Sequence, residues 1–280
     1  MKSVLALLFV RLVPQHGLSN LVFRLTRIRT RWLKNILIKR FIAWFNVDMS
    51  IALEPDPCAY KDFNSFFTRP LRKDARPICD NGLCCPVDGA ISQLGHIDQT
   101  RIFQAKSHHY SLNSLLGGSE TLTSKFVNGS FCTIYLSPRD YHRIHMPVDG
   151  TLNEMIYVPG KLYSVNTYTA ETVPDLFAVN ERVINIFETE HGPMALILVG
   201  AINVGSMETS WHGDVTPPYG KTINRWKYEQ DAVKLKRGEE MGRFNMGSTI
   251  ILLFPEGKTD WLSALSAGTT VQMGQPLTQN

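Results

Sequence analysis

The chain has 280 residues, 44% hydrophobic and 19% charged, enough to bury one large core or two modest ones. Its net charge of +4 conceals an asymmetry: the first 50 residues hold nine Lys or Arg and a single acid, Asp48, so the remainder is acidic. No window reaches the ~18 uninterrupted apolar residues that a membrane span requires, and the five cysteines, with no C-x-x-C, form neither a disulfide framework nor a zinc set. They read as free thiols in a reducing compartment.

From the N-terminus, Lys2 and the apolar run after it resemble a secretory signal. Arg11 interrupts the run, however, and no small-x-small cleavage site follows. A short apolar helix is expected at about 3–12, and Pro14 with Gly17 separates it from an amphipathic helix over 18–37. In that helix Leu18, Leu21, Val22, Leu25, Ile28, Trp32, Leu33 and Ile36 recur at three- and four-residue steps. Ser19 is its candidate cap, Arg24, Arg27, Arg31 and Lys34 fall on the other face, and Arg29 breaks the pattern. An apolar stripe against a basic face suits either an anionic bilayer surface or packing on the chain's own body. The absence of a reader motif, and the aliphatic surface between the bases, argue against nucleic acid.

After residue 50 the texture changes. Short aliphatic runs at 131–136, 183–187, 194–199 and 249–254 alternate with Pro, Gly and Asp turns, among them Pro-Val-Asp-Gly at 86–89 and again at 147–150. Helical patches are expected near Asp62–Phe67 and Ser111–Leu116, the second ended by Gly117. The fold class is therefore α+β: a mostly β catalytic core with sandwich- or barrel-like sheets over 51–280, preceded by basic amphipathic helices over 1–50. The sequon at Asn128 is of no consequence in the cytoplasm.

Four Gly-Ser pairs occur, and none lies in a G-x-S-x-G elbow. Gly247-Ser248 differs from the others by its setting, because it joins the Arg243 segment to the most apolar strand candidate, Thr249–Phe254. With a base near its hydroxyl, Ser248 Oγ is placed for intramolecular attack on the Gly247 carbonyl, where glycine leaves the carbon unobstructed. The product is an ester; elimination across it leaves dehydroalanine, which becomes a pyruvoyl group on loss of ammonia. The base is sought in Tyr141-His142-Arg143-Ile144-His145. Its two histidines share one side of a helix or point oppositely on an extended segment, and they are equally readable as a packed polar pair. No third ligand in a recognisable pattern supports a metal. Asp88 can orient a histidine or simply shape its turn.

The segments Phe63–Arg72 (FNSFFTRPLR), Asp88–Gln93 (DGAISQ), Tyr135–Pro147 (YLSPRDYHRIHMP), Tyr157–Gly160, Leu176–Arg182, Val199–Ala201, Val204–Ser206, Gly238–Phe244 and Gly247–Thr249 together resemble the bacterial, pyruvoyl-dependent phosphatidylserine decarboxylase family. The resemblance implies self-cleavage between Gly247 and Ser248 into a β chain, 1–247, and an α chain, 248–280, headed by a pyruvoyl group made from Ser248. Asp88, His145 and Ser248 match the family's self-processing triad, and His142 matches the histidine of the decarboxylation step. The implied reaction turns phosphatidylserine into phosphatidylethanolamine and CO2 through a Schiff base, with the pyruvoyl group as electron sink. The implied setting is peripheral, on the cytoplasmic side of the inner membrane, with an anionic lipid surface as partner and the α/β unit able to pair as a homodimer. Two positions depart from the family pattern: Met246 stands where leucine is usual, and Val87 where alanine is usual, crowding Asp88. A Ser/His/Asp lipid hydrolase and a non-catalytic lipid-binding module are the competing readings.

Overall fold

In the computed structural model, residues 15–106, 108–202, 206–229, 232–246 and 249–279 are described. The helix expected at 3–12 and the pair Gly247-Ser248 lie outside them. Among the described residues the strands in chain order are β1 (Gly89–His96), β2 (Arg101–Ala105), β3 (His108–Ser111), β4 (Ser130–Tyr135), β5 (Arg143–His145), β6 (Gly150–Val158), β7 (Arg182–Thr189), β8 (Gly192–Val199), β9 (Met207–Thr209), β10 (Gly213–Thr216), β11 (Asn224–Lys227), β12 (Lys234–Leu235), β13 (Glu240–Phe244), β14 (Thr249–Phe254) and β15 (Thr270–Val271). Nine of them form one sheet in the order β11-β6-β7-β8-β14-β4-β1-β15, with β12 on β6; a second sheet runs β10-β9-β13-β5 and β2 pairs β3.

The sequence runs explain this order. β14, TIILLF, is buried at all six positions, which demands neighbours on both edges and cover on both faces. It pairs antiparallel with β4 on one side and β8 on the other. Both sheets feed one apolar core: Ile144, Met207, Met241 and Phe244 of the smaller sheet lie in the same cluster as the strands of the larger.

The helix expected over 18–37 is two helices, Gln15–Leu25 and Arg31–Phe45. The break falls at Thr26–Thr30, where the Thr26 hydroxyl bonds back to the Phe23 carbonyl and Arg29 interrupts the periodicity. Ser19 is therefore an interior, fully buried helical residue rather than a cap. Nor is Lys34 on an open basic face: it is buried, donating from Nζ to the Cys58 carbonyl at 2.9 Å. The outward positions of the second helix are shared by Trp32 and Trp44, 67% and 75% exposed, and by Arg31, Lys39 and Arg40. Ile38 faces inward, into a small cluster with Val47, Tyr60, Phe63, Phe66 and Phe67.

The two other helical patches form as expected, Phe63–Phe67 under an Asp62 capping box and Leu112–Leu115 under a Ser111 cap. The cysteine reading needs correction. Cys79 and Cys84 form a disulfide, with Cα atoms 5.8 Å apart across a turn that Gly82 makes at φ +66°. Cys58, Cys85 and Cys132 are free. Adjacency of Cys84 and Cys85 is no obstacle, because successive side chains of an extended segment diverge: Cys85 enters the main core and Cys84 meets Cys79.

Candidate active site

Three segments converge where β14 begins. Thr249 pairs with Tyr135 of β4 and Val199 of β8, and Tyr135 pairs in turn with Ala90 of β1. β1 can approach this closely only because residue 89 is glycine: a Cβ there would stand 2.4 Å from the Tyr135 carbonyl oxygen. Asp88 is thereby brought beside the end of β4. From the other side β13 runs antiparallel to β5, and the Phe244 N–H donates to the His142 carbonyl at 3.0 Å. The chain then has only Asn245 to Ser248 in which to cross to β14.

That crossing is tethered. Asn245 is buried, and its N–H donates to the Ser206 carbonyl at 2.9 Å. Its side-chain amide donates to Ser206 Oγ and accepts from Asn64 Nδ2 at 2.9 Å. Ser206 Oγ donates onward to Asp214 at 3.0 Å. Met246 packs against the helical cluster of Phe63, Phe66 and Phe67.

The two histidines take the extended alternative, so their rings part company. His142 is fully buried, its ring 4.1 Å from that of Phe67. Its Nδ1 donates to the Asp140 carbonyl at 2.8 Å, which leaves Nε2 an acceptor, buried and without a hydrogen-bond partner among the described residues. Burial, and secondarily the Arg69 charge, pull its pKa down to about 3. His145 bonds through Nδ1 to the Gly238 carbonyl at 2.8 Å and through Nε2 to the Tyr141 hydroxyl at 3.0 Å. Burial also lowers its pKa, opposed by the Gly238 carbonyl, Glu240 and Asp88. Both imidazoles are thus held neutral.

Asp88 is engaged elsewhere than on a histidine. Arg76 grips it through Nε at 2.9 Å and Nη2 at 2.5 Å, and the Met273 N–H donates to Oδ1 at 2.8 Å. Its charge reaches His145 through space. Beside the junction lies an apolar cavity of about 260 Å³, lined by Phe41, Phe45, Phe67, Tyr135, Val165 and Met246 among others. It runs from Phe41 and Phe45 of the helix Arg31–Phe45 to Tyr135 at the end of β4 and to Met246.

The amino-acid sequence has close relatives among known proteins. The phosphatidylserine decarboxylase family model matches residues 63–279, and a second model, described as PSD, matches 5–46. The chain belongs to the phosphatidylserine decarboxylase family. Relatives named phosphatidylserine decarboxylase proenzyme include that of Methylococcus capsulatus, 53% identical over 95% of this chain and 93% of the relative. That of Azotobacter vinelandii is 52% identical over 100% and 99%, and that of Alkalilimnicola ehrlichii 56% identical over 86% and 85%.

As a phosphatidylserine decarboxylase relative, the chain shows contributions that sequence patterns concealed. Arg76, Tyr141, Gly238, Asn64 and Asn245 all hold the site, and none was singled out by type or spacing. For Asn64 and Asn245 a signal existed: each is an amide inside an apolar run, FNSFF or RFNM, where a buried polar group needs a partner. Tyr141 and Gly238 lay inside the segments quoted for the family resemblance, but nothing local marked the contact that either makes. Of the two departures, Val87 is fully buried in the main core, and Met246 fills space against the helical cluster.

Proposed function

We propose that this chain is a self-processing precursor that cuts itself between Gly247 and Ser248 and, once mature, decarboxylates phosphatidylserine to phosphatidylethanolamine. The observation that carries the reading is His145, a half-buried neutral imidazole whose tautomer is fixed by the Gly238 carbonyl, on β5, the partner of the strand that leads toward Gly247-Ser248.

The base for the cut is Nε2 of His145, because Nδ1 is committed as a donor. Asp88 contributes its charge, which favours the imidazolium that forms as the serine proton arrives. The Asn64–Asn245–Ser206 tether and the packing of Met246 fix the chain immediately before Gly247-Ser248, and such positioning is what gives intramolecular attack its advantage. β14 keeps the short chain 248–280 in place after the cut, since both its edges are paired.

The residues present suit a pyruvoyl group at position 248. Two buried polar atoms at the junction, His142 Nε2 and Thr249 Oγ1, have no hydrogen-bond partner among the described residues, an arrangement that protein interiors seldom leave unused. When formed, the group supplies the electron sink that α-decarboxylation requires and no ordinary side chain provides. His142 stays unprotonated across the physiological range and serves as an acceptor, orienting the substrate or the water from which Cα takes its proton.

The setting we propose is the cytoplasmic surface of the inner membrane. No helix among the described residues is long and apolar enough to cross a bilayer. Leu21, Leu25, Trp32, Ile36 and Trp44 are exposed on the helical arm, with Arg24, Arg29, Arg31, Lys39 and Arg40 exposed beside them. That combination suits an anionic lipid interface, and the apolar cavity extends from this arm to Met246. Intact mass of the purified protein tests the reading: two chains are expected, the shorter beginning at residue 248 with a blocked terminus. Ser248→Ala is expected to give one chain and no decarboxylation, and an uncut parent chain that still releases CO2 would refute the proposal.

A further inference from the structure

His145 is held at both ring nitrogens. Its Nδ1 faces the Gly238 carbonyl oxygen, which can only accept, so Nδ1 carries the proton. In the neutral ring Nε2 is then bare, and the Tyr141 hydroxyl 3.0 Å away must be the donor. Tyr141 is itself buried, its ring 5.6 Å from that of His145 and tilted by 30°. The hydroxyl therefore sits on the one basic lone pair of the residue that has to receive the serine proton.

We propose that Tyr141 is a positioning residue that restrains self-cleavage: in the uncut chain its hydroxyl occupies Nε2 of His145, and the cut proceeds only when that donor turns aside. This rests on the reading of His145 as the base for the cut. In the restrained step the Ser248 Oγ proton passes to Nε2, the Oγ–C bond to the Gly247 carbonyl carbon forms, and the C–N bond breaks. The proton then leaves on the amine nitrogen. The step is an isomerisation, balanced without oxidant, reductant or co-reactant. A phenol donating to Nε2 competes with the serine hydroxyl for the same lone pair.

The geometry also shows why the restraint is firm. The Gly238 carbonyl fixes the ring from the other side, from a residue at φ +79°, a conformation that residues with a Cβ rarely adopt. The charged groups facing His145 are Glu240 from β13, Arg143 from its own strand and Asp88 from the turn before β1; Tyr141 faces these and Arg243. They bias the proton affinity of the ring. Arg143 spends its hydrogen bonds on Glu240 and the Thr68 carbonyl, and Arg76 covers Asp88, so the donor at Nε2 is Tyr141.

The test follows maturation rather than turnover. Full-length chain is made by cell-free synthesis from about pH 5 to pH 9, and the appearance of the short chain is timed by mass spectrometry. Tyr141→Phe keeps the ring and removes the donor, so its plateau rate is expected to rise roughly three- to tenfold, the worth of one ordinary hydrogen bond. Its acid limb is expected to move to higher pH, because the neutral imidazole loses a stabilising partner. Installing 3,5-difluorotyrosine at position 141, a stronger donor, is expected to slow the plateau instead. A Tyr141→Phe plateau no faster than the parent's, or an acid limb that does not move, overturns the proposal. If Tyr141→Phe does not fold, the difluorotyrosine chain decides, and a rate equal to or above the parent's overturns it. A parent chain that never cuts refutes the self-cleavage reading itself, a distinct outcome.

Discussion

β14 and the helix Arg31–Phe45 draw on the same apolar residue types and meet opposite surroundings. Every residue of β14 is buried, whereas Trp32, Ile36, Leu37 and Trp44 of the helix stand in the open. The strand has sheet neighbours on both edges; among the described residues the helix packs its inward side on the cluster around Phe63 and Phe67, covering it with Ile38 and Phe41. A helix that gives one face to the protein and keeps tryptophans on the others is suited to a second, apolar solvent. Hydrophobicity alone does not say which solvent a segment will find, because burial depends on the surfaces that surround it.

That contrast is open to attack at each end. The largest effect belongs to the strand: Leu252→Ala is expected to cost about 2–5 kcal/mol of stability, read as a lower denaturant midpoint, and a loss no greater than that of an exposed site would deny β14 its central place. Next comes acid. His142 binds its proton far more weakly in the folded chain, near pH 3, than its ordinary 6.5, so between those values the unfolded state holds more protons and stability falls as pH drops. His142→Gln is expected to flatten that part of the stability profile relative to the parent, and parallel profiles would contradict the buried neutral ring. The smallest effect on folding belongs to the arm. Trp44→Ala is expected to change stability by no more than about 0.5 kcal/mol while weakening binding to anionic vesicles several-fold. A large stability loss with unchanged vesicle binding would show the helix to be ordinary packing.

The histidines show how legible the site was. Their identity and spacing were readable, and so was the pair of outcomes that spacing allows, one face of a helix or two sides of a strand. Which outcome holds was set by β13, because pairing with β5 forces the extended form and sends one ring to Phe67 and the other to Tyr141. Asp88 was likewise visible in its Asp-Gly turn, yet its actual partners, Arg76 and the N–H of Met273, are 12 and 185 residues away. No local pattern records such pairings. The cysteines misled for a related reason: adjacency of Cys84 and Cys85 concealed the turn that closes Cys79 onto Cys84.

Sequence by itself supplied the strand behind the bond proposed to react, the polarity of the N-terminal arm and the chemical types of the candidate site residues, since these follow from side-chain identity and short-range periodicity. The tertiary structure decided the split of the arm into two helices, the burial of Lys34, the tautomers of both histidines and the hold of Arg76 on Asp88. Those depend on which carbonyl or carboxylate a distant stretch of chain delivers, and only the folded backbone sets that distance.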